Sequence, residues 1–139
     1  MKRITAFVLA LALLLSVCGC SDNTPEGLSK VTFAQGEAAL EVMDAYLAGD
    51  ASAADTLVKL EEIAVALDGE GAAIEEKLIA QSTGSKYEEL MTQSMNCAVI
   101  TMMLVAFANG VEESPDAPDG TNCQRARDEV AKLVVVAEE

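Results

Sequence analysis

The chain contains no histidine and no tryptophan, and its aromatic residues amount to 4% of 139 positions. Without histidine there is no Ser/His or Cys/His nucleophile pair, no Glu-x-x-His di-iron pattern, no HExxH zinc site and no histidine-ligated haem. Basic residues are also scarce, nine against twenty-three acidic ones, for a net charge of −14. Phosphate binding needs clustered Lys and Arg that release counterions, so a nucleic-acid partner is excluded. Few aromatics limit both ligand pockets and interface anchors, which lean on Trp, Tyr and Phe. No P-loop, G-x-G-x-x-G or G-x-S-x-G motif occurs. No catalytic residue, cofactor site or metal site is expected, and the chain reads as a non-enzyme.

What is present begins with Met1-Lys2-Arg3, followed by an apolar run over residues 4–17 and then Cys18-Gly19-Cys20-Ser21-Asp22. A positive start, a short apolar stretch and a small-residue junction read as an export signal. Fourteen apolar residues fall short of the roughly 20 that a spanning helix needs. Val17-Cys18-Gly19-Cys20 resembles the lipobox of bacterial lipoproteins, with Cys20 in the position that receives a diacylglyceryl group before cleavage. The resemblance covers only the amino terminus. It implies a signal peptide over residues 1–19, a lipid anchor at Cys20, and a place on the extracytoplasmic face of a bacterial cell membrane. Cleavage without lipidation and release as a secreted protein is the other reading of the same junction. Two acyl chains on one glycerol hold a bilayer stably where a single chain holds it marginally. Removal of Lys2 and Arg3 makes the remainder two charges more negative than the −14 of the whole chain. A body so acidic is repelled by anionic lipid headgroups within a Debye length of about 8 Å, so it is expected to hang from its anchor.

Residues 20–27 read as a polar tether and residues 28–139 as one acidic α-helical domain. Alanine is abundant, and no stretch alternates apolar and polar residues with the β-branched enrichment of a strand. The pattern predicts an all-α fold, a small bundle of about five helices around a central apolar helix at residues 85–108. The first helix is expected over about 25–48, capped by Thr24 and stopped at Gly49, with Leu28, Thr32, Gln35, Ala39, Val42, Met43 and Tyr46 inward. Ser52 with Asp55 makes an S-x-x-D capping box for a second helix to about residue 67. Asp68-Gly69-Glu70-Gly71 reads as a loop before a short third helix at 72–81, with Ile74, Leu78 and Ile79 inward. Ser85 with Glu88 makes a second box for the fourth helix, whose half from Cys97 to Ala108 has only Thr101 as a polar residue. A helix apolar on every side belongs at the centre. The Pro- and acid-rich residues 111–120 read as a linker, and Thr121 with Gln124 opens the fifth helix, carrying Cys123, Ala126, Val130, Leu133, Val134 and Ala137 inward.

Cys97 and Cys123 form the one cysteine pair inside this domain. Export favours a disulfide between them, which would stabilise the fold by about 3 to 4 kcal/mol in the chain-entropy model. That bridge requires the fifth helix to start beside the middle of the fourth, because in a tight hairpin Cys97 would lie about 20 Å from its start. Two buried free thiols are the alternative. Met91, Met95 and Met102 share one side of a helical wheel, as soft ligands for Cu(I) or, in the simpler reading, as core filling. Adjacent glutamate pairs such as Glu61-Glu62 and Glu88-Glu89 diverge by about 100° and read as solvated faces. Aligning Gly120 with the glycine of an EF-hand loop puts Pro115 and Ala117 at ligand positions, so a calcium loop is not expected. Two functional expectations follow. One is a lipid-anchored interaction or accessory module with a protein partner in the envelope; the other is a lipid-anchored binding protein for a small or cationic ligand in an inter-helix cleft. A filled core favours the former and an open lined cleft the latter.

Overall fold

The computed structural model of the chain describes residues 23–116 and 121–135. It is all-helical, with four helices among the described residues: α1 (Lys30–Leu47), α2 (Ala53–Ala80), α3 (Ser85–Glu113) and α4 (Thr121–Val134). Each helix packs on its two neighbours in a ring, α1 on α2, α2 on α3, α3 on α4 and α4 back on α1, while α1 and α3 touch across the diagonal. Short connections make successive helices antiparallel. Tyr46 at the end of α1 accordingly reaches Ser114 just past the end of α3, its hydroxyl donating to that carbonyl at 3.3 Å.

A bundle of four replaces the expected five because the second and third predicted helices are one. Gly69 and Gly71 lie inside α2. Each costs about 1 kcal/mol of helix propensity, which is why the sequence suggests a break. Leu67 and Ile74, two turns apart on one face, are both fully buried, and that burial outweighs the propensity deficit. A Cβ at Gly69 would meet nothing within 4 Å. Gly69→Ala should therefore raise stability by about 0.5–1 kcal/mol, read from the denaturation midpoint at unchanged slope; a loss would mean that the helix is not continuous there.

The helix ends also differ from the pattern. α1 starts at Lys30 and not at Pro25: Ser29 is its cap, accepting from the Thr32 amide at 3.0 Å. The chain before it turns instead, with Leu28 N donating to Pro25 O and Gly27 at φ +82°. That conformation suits glycine. The Gly27 carbonyl accepts from Asn96 Nδ2 at 2.8 Å, so the expected tether is tied to α3 at its last residue. The box at the start of α2 is present, Ser52 Oγ accepting from Asp55 N and donating to Asp55 Oδ2 at 2.7 Å. The one drawn for Ser85 and Glu88 is absent, since Gly84 occupies the cap position with no side-chain bond. The box at Thr121 rests on a side chain outside the described residues. α3 runs on to Glu113 and takes up the first residues of the expected linker.

α3 is not the central helix. In a ring of four, every helix turns one side to the shared core and one side out. Leu90, Cys97, Ile100, Leu104, Phe107 and Val111 face inward on α3. All of these but Leu90 join one core cluster with Leu28, Ala39, Met43 and Tyr46 of the α1 side, Leu60, Ile63 and Leu67 of α2, and Cys123, Ala126, Val130 and Val134 of α4. Two glycines set the helix spacing. A Cβ on Gly36 would lie 2.5 Å from Val134 Cγ2, and one on Gly110 would lie 2.6 Å from Cys123 Sγ, so α4 approaches both α1 and α3 closely. A bidentate ion pair fastens α4 to α1 at the surface, Arg127 Nε to Asp44 Oδ1 at 2.7 Å and Nη2 to Oδ2 at 3.0 Å.

Candidate functional site

The feature that sets α3 apart is its outward side. From Leu90 to Val111 it carries no charged residue, a stretch about 33 Å long at 1.5 Å per residue. The uncharged run thus extends well past the apolar half that begins at Cys97, because Thr92, Gln93, Ser94 and Asn96 lower its hydropathy without adding charge. By length and composition the helix could cross a bilayer, and of its most apolar window of 18 residues only 28% is buried within the bundle. The uncovered part is a stripe. Met91, Met95, Met102 and Val105 are 39%, 62%, 56% and 52% exposed, with Ala98 exposed between them. The methionines are therefore not core filling. α3 uses the opposite side for the core, and among the described residues no other helix covers them.

Beside the stripe, α3 and α4 enclose an open groove of about 680 Å³. Val99, Met102, Met103, Ala106 and Ala126 form its floor, and Asn109, Glu113, Asn122, Arg125 and Glu129 its rim. Met102 belongs to both stripe and groove, so the two make one surface. Thioethers are flexible and polarizable, and a surface built of them adapts to what covers it. The groove lacks an aromatic side chain, and no cluster of three or more carboxylate, thiol or imidazole ligands occurs among the described residues. Nothing in it supplies a nucleophile and base in contact.

The cysteines do not meet. Both are free and buried. Cys97 Sγ lies 3.5 Å from Leu67 O of α2, whereas Cys123 Sγ lies 3.7 Å from Phe107 O near the end of α3. Ten helical residues, about 15 Å, separate Cys97 from Phe107. Bridged Cα atoms sit at about 4.4–6.8 Å, so the expected disulfide is replaced by two separate thiols. Helix α4 starts beside the end of α3 and not its middle, the arrangement that the bridge could not accommodate. Burial raises the pKa of each thiol; neighbouring Glu70 and Asp68 add to this at Cys97, and Glu113 adds to it at Cys123. Thiols held protonated are poor nucleophiles.

The remaining candidates fall on the surface. Glu61, Glu62, Glu75, Glu76, Glu88, Glu89, Glu112 and Glu113 are exposed, as solvated faces should be. Ile79, expected inward, is 79% exposed, because the last turn of α2 overhangs the bundle. Asp44 is the carboxylate that Arg127 grips from α4. Its hydrogen bond from Arg127 holds its pKa below the ordinary value of 3.8, against a small opposing effect of burial. A lowered folded-state value means the pair contributes fully above the ordinary aspartate value and is lost as pH falls below it, through the folded value. With Asp44 half exposed, Asp44→Asn should cost less than about 1 kcal/mol at neutral pH. It should also flatten the decline of stability in acid; an unchanged acid limb in urea titrations at several pH values would remove Asp44 from the account.

Cys20 lies outside the described residues, as does the whole predicted signal segment. Comparison of the chain with known protein families, with curated proteins and with solved structures finds no match.

Proposed function

We propose that the protein is a lipid-anchored, extracytoplasmic helical module of the bacterial envelope, non-enzymatic, that acts by presenting the uncharged outer side of α3 to a protein. The observation that carries this reading is the stripe from Met91 to Val105, exposed and uncharged in a chain whose net charge is −14. A contiguous apolar face rimmed by polar groups marks an interaction surface. The anchor at Cys20 comes from the lipobox resemblance and has its own test: cells fed an alkyne fatty acid should label the wild type and not Cys20→Ala, and an unlabelled wild type removes the anchor.

The interaction reading is tested by placing a photo-crosslinking amino acid at Val105 or, as comparison, at Val58 on the exposed side of α2. Irradiated cells should yield a defined adduct from position 105 and not from 58. Equal yields from both positions, or none from either, contradict it. The groove beside α3 supports a second reading, a small cationic ligand held between Glu113 and Glu129. Arg125 on the same rim and the absence of aromatic walls make that the weaker of the two.

A further inference from the structure

We propose that the outer side of α3 is covered by the same side of a second copy of this chain, the two helices running antiparallel about a two-fold axis at Ala98. This rests on the reading of that side as the working surface and names its occupant. Three observations lead to it.

The first is spacing. Met91, Met95, Ala98, Met102 and Val105 follow one another at steps of four, three, four and three, the a/d rhythm that keeps one seam facing a partner helix along a coiled coil. The second is self-complementarity. A two-fold contact requires that a patch fit itself, residue i on j and j on i. Turned antiparallel about Ala98, the stripe sets Met91 against Val105 of the other copy, Met95 within one residue of Met102, about 1.5 Å along the helix, and Ala98 against itself, so the smallest side chain stands where the backbones cross.

The third is charge. At −14, two copies repel each other wherever their carboxylates meet; the stretch from Leu90 to Val111 carries none, and the carboxylates lining the groove beside it, Glu113 and Glu129, share its rim with Arg125. The ends agree as well. Glu88 lies one turn before the stripe, on the side of α3 that also carries Val99 and Ala106 of the groove. In the antiparallel register it falls opposite Asn109 of the other copy, beside Arg125, which lines the groove there. A two-fold axis perpendicular to both helices keeps the same side of each on the same side of the pair, so Glu88 meets Arg125 twice. An anionic bilayer fits less well, because Glu88, Glu89, Glu112 and Glu113 stand at both ends of the stripe.

A single helix seam is a modest interface, and confinement of the chains to one membrane raises their effective concentration. The test therefore uses the full chain in intact cells. Under mild oxidation, Ala98→Cys should form a disulfide-linked dimer at least about tenfold faster than Val58→Cys or the wild type, the gain that comes from holding two thiols together. Adding Met95→Glu and Met102→Glu to Ala98→Cys should return it to the rate of Val58→Cys. Met91→Cys and Val105→Cys should each link poorly alone and well when co-expressed, since each opposes the other. Circular dichroism of each variant, all of them at exposed positions, checks that the helices remain.

The proposal is overturned by an Ala98→Cys rate no greater than that of Val58→Cys. It is equally overturned by stronger linking of Met91→Cys alone than in the mixture, which would mean a parallel pair. If Ala98→Cys stays monomeric while the photo-crosslinker at Val105 captures another protein, the surface reading survives and the second copy does not; capture of lipid alone overturns both. If neither experiment gives an adduct, both fall.

Discussion

Phe107→Ala is expected to cost about 3–5 kcal/mol of folding stability, measured by urea or guanidinium denaturation at neutral pH. The ring is fully buried on α3 and meets the Tyr46 ring edge to face at 5.9 Å and 74°. Tyr46 lies at the end of α1, and its hydroxyl donates to the carbonyls of Ser114 and Pro115, so the ring pair joins α1 to the end of α3 across the diagonal. The Phe107 carbonyl also takes the weak Cys123 thiol bond from α4. Truncation leaves a cavity where three helices converge, with Tyr46 anchored by its hydroxyl and not free to fill it. Domains of this size hold about 5–15 kcal/mol in all, so the loss is a large share of the total. Phe107→Leu, which keeps most of the volume, should cost under about 1.5 kcal/mol. If Ala and Leu proved equal and mild, the ring would not be a core element.

Gly110→Val should be nearly as damaging, at about 3 kcal/mol, for the opposite reason. A Cβ at this position would stand 2.6 Å from Cys123 Sγ and 3.7 Å from the Cys123 backbone nitrogen. The sulfur is on a short, buried side chain, and the backbone of α4 is immediately behind it, so relief requires α4 to move away from α3. Gly110→Ala pits the same clash against the gain of about 1 kcal/mol in helix propensity, and should still destabilise. Cys123→Ala removes the sulfur. The Gly110→Ala, Cys123→Ala double variant should therefore recover about 1–2 kcal/mol relative to the sum of the single changes. Strict additivity would mean that Gly110 is not where the helices touch.

How far these features were legible follows from what each depends on. The inner side of α1 could largely be read from spacing alone: Leu28, Thr32, Ala39, Met43 and Tyr46 are buried, while Gln35 and Val42, also expected inward, are half-buried at its edges. The S-x-x-D box at Ser52 was also legible, because a cap is made by residues adjacent in sequence. Gly69 and Gly71 misled, since propensity reports the isolated helix, and the burial of Leu67 and Ile74 that holds α2 together is a tertiary effect. The separation of Cys97 from Cys123 turned on where α4 begins along α3, a distance that no spacing in the sequence sets.

α3 is the instructive case. A helix apolar on all sides gives no periodic signal of which side is inward, so the pattern indicated a central helix enclosed by others. Among the described residues only three other helices exist, and all of them pack on one side of α3. The observation that the sequence took for burial is, on the outer side, the candidate site itself.

The methionines that made α3 look like core also report on whether that side is covered when the protein is at work. Met91, Met95 and Met102 are exposed, and Met43 is fully buried in the same molecule. Thioethers oxidise to sulfoxides according to their exposure, and each is read separately by mass spectrometry. In dilute purified protein, peroxide should oxidise the three α3 methionines well ahead of Met43. In intact cells under the same dose, Met91, Met95 and Met102 should be protected while Met43 is unchanged. If the three oxidise in cells as fast as in the dilute protein, the outer side of α3 is not an interface.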